Sequence, residues 1–272
     1  MHPVVPRSEQ TVLNHGTTAA VITYTKGRVI KTHAGPKVRF DPPQPSIKSL
    51  IREREIYEAL GEHPYILKYY GSIPMDGDGG ASALWLERAE YDTIRSILEH
   101  STPLPVELLP IVNDSRTRWR WIFQLISALA HLHAHSFIHC DISCWNMVVT
   151  SSLDAKLIDF GSSAILGEKG LGAEEARYSC PLKILANKLP SFQSDIFALG
   201  SAMYEILTGS PPYNDITSEE AEERFELLQF PNTANLGAGD VILGCWMGKF
   251  LAVTQVESEL KMVTFTASLI DL

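Results

Sequence analysis

Two carboxylates and an amide lie close together in mid-chain, in types and order that suit the handling of phosphate. His139-Cys140-Asp141 is followed by Asn146, five residues after the aspartate, and then by Asp159-Phe160-Gly161. At this spacing Asp141 can accept the proton of a substrate hydroxyl, while Asn146 and Asp159 can hold Mg²⁺ against nucleotide phosphates. The chemistry implied is a metal-assisted phosphoryl transfer.

The elements that must position these groups can be read from the hydrophobic period. The first ninety residues are strand-rich: Thr11–Leu13, Ala19–Thr25 and Arg28–Lys31 read as strands, with a turn at Lys26-Gly27. A proline-rich break at residues 41–45 precedes a helix from Ser46 to Leu60, ended by Gly61. Ile66–Ser72 and Ala83–Leu86 read as two further strands around a Gly-rich connection at residues 76–80. Beyond residue 90 the period becomes helical. Ile122, Leu125, Ile126, Leu129 and Leu132 predict a helix over Arg116–His135, with Trp119 and Trp121 as core residues. A short hairpin is expected at Met147–Thr150 and Ala155–Ile158, followed by helices over 195–207, 218–228, 240–246 and 252–262. The fold class that follows is α+β: a small antiparallel β lobe with one helix (about 11–88) and a larger, mainly helical lobe (89–264), within one domain spanning 1–272.

Composition narrows the setting. A chain of 272 residues can bury a core of this kind. Its net charge of −9 disfavours a nucleic-acid partner. No apolar run approaches a membrane span, and the first ten residues lack a signal core. Four cysteines without a CxxC pair suit a reducing compartment, so a cytoplasmic or nuclear monomer is expected.

The stretch HCDISCWNMVV…KLIDFG resembles the catalytic and metal-binding loops of eukaryotic protein kinases, and the resemblance runs from Thr11 to Met262. It implies ATP and Mg²⁺ as cofactor and metal, a protein substrate, and roles for residues that spacing alone does not assign. Lys31, ending the third strand, would hold the α- and β-phosphates. Glu53 rather than Glu55 would brace it, because Leu60 follows Glu53 by the family's seven residues and Tyr57 then faces inward. Gly16 and Val21 would belong to the phosphate loop, here Asn14-His15-Gly16-Thr17-Thr18-Ala19-Ala20-Val21, which keeps one glycine and the valine of GxGxxGxV. Leu86 would back the adenine pocket, main-chain groups of Glu87 and Ala89 would bond the base, and Val148 would line it. His139 is structural in this scheme, Phe160 packs beneath it against Tyr57, and Asp195 bonds the loop carrying Asp141. The compact form, with DISCxN and Cys245-Trp246, is similar to small kinase-like proteins of filamentous fungi.

Three departures matter. Ser143 stands where serine/threonine kinases carry a lysine, Cys140 replaces an arginine that binds phosphorylated activation loops, and Leu182 replaces a glutamate that pairs with a distant arginine. The cysteines read as small buried fillers. Activity is therefore expected not to need phosphorylation of Ser162, Ser163, Tyr178 or Ser179. A kinase-fold scaffold and a small-molecule kinase of the aminoglycoside or choline type compete with a serine/threonine protein kinase. The small-molecule type lacks the Asp-Phe-Gly and the Asp195–Gly200 helix start.

Overall fold

The computed structural model describes residues 12–15, 19–25, 27–32, 44–74, 82–172, 174–181, 184 and 189–270. Strands β2 (Ala20–Thr25) and β3 (Arg28–Thr32) are rich in β-branched residues, which fit a pleated, half-buried surface. They form an antiparallel pair, and β1 (Val12–His15) adds to the β2 edge. Strand β5 (Ser82–Glu87) joins β3 to β4 (Tyr69–Pro74), giving a five-stranded sheet in the order β1-β2-β3-β5-β4. Helix α1 (Gln44–Leu60) buries Leu50, Ile56, Tyr57 and Leu60. It stops at Gly61, whose φ of 66° is the left-handed conformation that closes a helix and favours glycine.

The expected strand over Ile66–Ser72 begins three residues later. The backbone of 65–67 is used instead to cross between lobes. Leu67 N–H donates to Leu157 O at 3.1 Å, and Leu157 N–H donates to Tyr65 O at 2.9 Å. Those bonds compete with pairing inside the sheet, and they win because they join the lobes.

The second lobe is helical: α2 (Ile94–Leu98), α3 (Leu109–Asn113), α4 (Ser115–Ala134), α5 (Phe192–Thr208), α6 (Ser218–Glu226), α7 (Gly239–Trp246) and α8 (Val253–Ile270). The short pairs β6 (Phe137–Ile138) with β9 (Ala164–Ile165), and β7 (Met147–Val149) with β8 (Ala155–Leu157), lie among them. Helices α2 and α3 have five residues each, too few for a period to reveal them. Helix α5 begins before Asp195 because Ser191 caps it: its hydroxyl accepts from Ser194 N–H, and the Ser194 hydroxyl reciprocates. Gly200 is needed where α5 crosses α7, since a Cβ there would lie 2.8 Å from Cys245 Cβ.

The core centres on α4 and α5. Trp121, Ile122, Leu125, Ile126, Leu129 and Leu132 of α4 are buried against Phe197, Leu199, Met203 and Ile206 of α5. Each large apolar side chain so buried contributes about 1.5–3 kcal/mol. The two fully buried tryptophans satisfy their indole N–H groups, Trp121 to Leu153 O at 2.9 Å and Trp246 to the Ser201 hydroxyl at 3.0 Å. The architecture is the two-lobed α+β fold expected from the sequence.

Candidate active site

The alternation of β3 turns Val29 and Lys31 to the buried face, and Lys31 is only 8% exposed. A buried ammonium needs acceptors. Lys31 Nζ has two, Glu53 Oε2 at 2.7 Å and Asp159 Oδ1 at 2.8 Å. Glu55, by contrast, lies on the exposed side of α1, 4.0 Å from Arg52. Burial works against the Lys31 charge, but Asp159 and Glu53 outweigh it and raise its pKa. For Glu53 burial dominates, pushing its carboxyl to about 7 against the pull of Lys31. Burial would also raise Asp159, yet Lys31 holds it below the usual carboxylate range. The result is a fixed cation beside an ionised aspartate.

The loop carrying Asp141 is anchored from below. Asp195, fully buried, accepts from His139 N–H at 2.8 Å, Cys140 N–H at 3.0 Å and the His133 ring at 2.9 Å. His139 is also buried, so its imidazole is kept below its usual pKa, and its Nε2 bonds Ile158 O at 3.1 Å. The Phe160 ring packs edge-on against Tyr57 (4.9 Å) and against His139 (5.4 Å), and Tyr69 stacks on Tyr57 at 5.3 Å. An aromatic column thus runs from β4 through α1 to the Asp159 turn and the Asp141 loop. Asn146 Nδ2 donates to Asp141 O at 2.7 Å, which commits the amide nitrogen and leaves its oxygen for a ligand. Burial pushes the Asp141 carboxyl up to about 7, where a proton acceptor works at neutral pH.

Apolar residues floor the cleft beside the lysine. Val29 pairs with Leu86 across β3 and β5, and both are buried. Val21, Ala89 and Val148 pack against the same core at intermediate exposure. Glu87 donates its N–H to Lys68 O, and its carboxylate pairs with Lys156 at 2.6 Å. Gly16 and Leu182 lie outside the described residues.

Several participants escaped the sequence reading. Arg95 of α2 pairs with buried Glu205 of α5, and its guanidinium donates to the Tyr178 hydroxyl at 2.8 Å. This buried pair ties the segment after Asp159 to the helical lobe through Tyr178, by residues other than the ion pair that Leu182 replaces. The signal was Glu205 itself, a carboxylate in the apolar C-terminal half of α5. Trp145 stands 41% exposed between Asp141 and Asn146, with the Arg95 guanidinium 5.3 Å from its ring. Ser143 is buried, so its hydroxyl contributes no charge to the cleft. The Ser163 hydroxyl is spent on His139 O, and Arg52 of α1 meets Glu168 at 3.7 Å. All four cysteines are free and buried, and burial raises each thiol pKa, as suits packing residues.

Among the described residues, no group of three His, Cys, Asp or Glu side chains could hold a metal. Asn146 and Asp159 sit on bonded segments, since Ile158 N–H, next to Asp159, donates to Asn146 O at 3.0 Å, and they offer an amide and a carboxylate oxygen. This set fits Mg²⁺, which takes one or two protein oxygens and completes its shell with phosphates and water.

Comparison with known proteins agrees with this geometry. The protein kinase domain family matches residues 8–249, and the chain belongs to that family. A protein named "probable serine/threonine-protein kinase" in Dictyostelium discoideum is 30% identical over 68% of this chain and 36% of its own length. The mitogen-activated protein kinase kinase kinase ANP1 of Arabidopsis thaliana is 29% identical over 74% of this chain and 30% of its own. The tyrosine-protein kinase SRK3 of Spongilla lacustris is 24% identical over 75% of this chain and 60% of its own. The chain therefore spans 30% to 60% of the length of these relatives.

Proposed function

We propose that this chain transfers the γ-phosphate of ATP to serine or threonine hydroxyls of proteins, with Mg²⁺, and without activation by phosphorylation of its own loop. The observation that carries the reading is Lys31 held between Glu53 and Asp159, facing an Asp141 carboxyl whose pKa is raised to about 7. Lys31 meets the α- and β-phosphates as a pre-oriented cation. Its two acceptors fix its position before nucleotide arrives, so little reorganisation remains at reaction. Asp159 and the Asn146 oxygen hold the metal, which when bound neutralises phosphate charge. Asp141 accepts the hydroxyl proton, and Asn146 keeps the Asp141 main chain in place. Val21, Val29, Leu86 and Val148 enclose the adenine, with main-chain groups of Glu87 and Ala89 at its edge.

Serine/threonine specificity rests on two relatives named serine/threonine-protein kinases, against one named a tyrosine-protein kinase. Independence from loop phosphorylation draws on three observations. Tyr178 and Ser163 are fully buried with their hydroxyls engaged. Cys140 offers no charge to a phosphate. Glu168 already supplies a carboxylate to Arg52 of α1. The unpaired cysteines support a cytoplasmic or nuclear setting. Ser143 in place of a charged donor implies a slow enzyme, since one lost transition-state donor costs roughly 10²–10³ in rate.

The test is autophosphorylation, and phosphorylation of a general protein substrate, with Mg-ATP for wild type and Asp141→Ala. Transfer by wild type only is expected. Equal signals from the two proteins would favour a kinase-fold binding protein instead.

A further inference from the structure

Helix α1 carries Ser49, Glu53 and Tyr57 at i, i+4 and i+8, a single helix face. Each touches a different part of residues 159–161. Tyr57 packs against the Phe160 ring. Glu53 acts through Lys31 on the Asp159 carboxylate. The Ser49 hydroxyl donates to the Gly161 carbonyl at 2.7 Å. Glu53 also feels the Phe160 main-chain N–H, and Ser49 adds the bond to the Gly161 carbonyl. A serine inside a helix ordinarily turns its hydroxyl to solvent or to its own preceding turn. Ser49 instead bonds a residue 112 positions away.

The backbone it grips is under constraint. Asp159 has φ 64° and ψ 73°, a left-handed conformation that a non-glycine residue keeps only where its surroundings over-determine it. Gly161 N–H points back to Asp159 Oδ1 at 3.3 Å, and Gly161 C=O accepts from Ser49. The turn is thus tied at both ends, by its own carboxylate and by the helix. A Cβ on Gly161 would lie 2.6 Å from Ser49 Oγ, so the missing side chain lets α1 come this close.

We propose that Ser49 is a positioning residue for Asp159, fixing the Gly161 peptide so that the aspartate carboxylate stays turned toward the metal position. The inference rests on the phosphate-transfer reading, and it adds a residue that no catalytic motif contains. Glu53 and Tyr57 then hold Asp159 and Phe160, while Ser49 holds the Gly161 carbonyl.

Ser49→Ala and Ser49→Thr, made in the full chain, test it with two measurements. The first is amide hydrogen exchange over residues 159–163 of the nucleotide-free protein. Ser49→Ala should exchange about fivefold faster there, the worth of one neutral hydrogen bond, and Ser49→Thr should restore protection. The second is calorimetric affinity for ADP with Mg²⁺ and with EDTA. Ser49→Ala should weaken Mg-ADP binding about fivefold while leaving metal-free ADP within twofold, and Ser49→Thr should recover it. Unchanged exchange in Ser49→Ala, equal loss with and without Mg²⁺, or no recovery in Ser49→Thr would overturn the proposal. A wild type that binds Mg-ADP without transferring phosphate would sink the enzymatic reading alone.

Discussion

Two cations are buried to nearly the same depth, Lys31 at 8% and Arg95 at 6% exposure, yet their settings differ in one respect. Lys31 meets Glu53, which is shut in, and Asp159, whose side chain is 40% exposed. Arg95 bonds Glu205 and Tyr178, both fully buried, and meets the half-exposed Glu175 and Glu99 only at 3.6 and 3.9 Å. In the first arrangement an exposed carboxylate bonds the cation directly; in the second the direct bonds are all buried. A buried cation bonded directly to an open carboxylate is a site, and one whose direct bonds are all buried is a staple.

Truncating each cation breaks the comparison most directly. Lys31→Met should lower phosphoryl transfer by about 10²-fold or more in a steady-state assay, because a preorganised charge is lost. Its melting temperature should move by only a few degrees, since Glu53, already near pKa 7, can take up a proton. Arg95→Met should do the reverse. It strands the Glu205 carboxylate, at a cost of about 3–5 kcal/mol, and lowers the melting temperature by roughly 10 °C. Adding Glu205→Leu should recover most of that loss. A staple whose double variant stayed as unstable as the single would contradict the distinction.

A smaller effect comes from pH. The folded pKa of Asp141 is about 7 against an ordinary 3.8, so the native state favours the protonated acid. The associated stability is complete below about pH 4 and is lost as pH rises through 7. Asp141→Asn carries no such charge, so it should melt above wild type at pH 8, by about 5 °C, with the gap closing toward pH 5. Calorimetry across that range checks the sign. The smallest expected effect is nil. Phosphatase treatment should leave turnover within twofold of the untreated protein, measured by peptide or protein phosphorylation. Activity lost to phosphatase and regained with an acidic substitution at Ser162 or Ser179 would show that the Arg52–Glu168 contact does not replace a phosphate.

The parts legible in the sequence were those whose partners are near in sequence or set by a helical repeat. Asp141, Asn146 and Asp159 lie within nineteen positions of one another, and Glu53 followed from the family's spacing to Leu60, with Tyr57 four residues on. The tie from Arg95 to Glu205 spans 110 residues between two helices, and no local pattern encodes it. The Ser49 contact was hidden for another reason: its partner is a carbonyl, which every residue possesses. The start of β4 was misjudged because apolar alternation through Ile66 and Leu67 looks the same whether the backbone pairs within its sheet or reaches the other lobe. Helix ends shifted by a few residues where caps such as Ser191 decide the boundary.

That crossing has a mechanical consequence. The peptide groups of residues 65–67 are laced to Leu157 along the rear edge of the groove, and the Glu87–Lys156 contact lies on the neighbouring strand ends. These bonds make that edge, like the spine of a bound book, the axis about which any opening between the two lobes would have to turn.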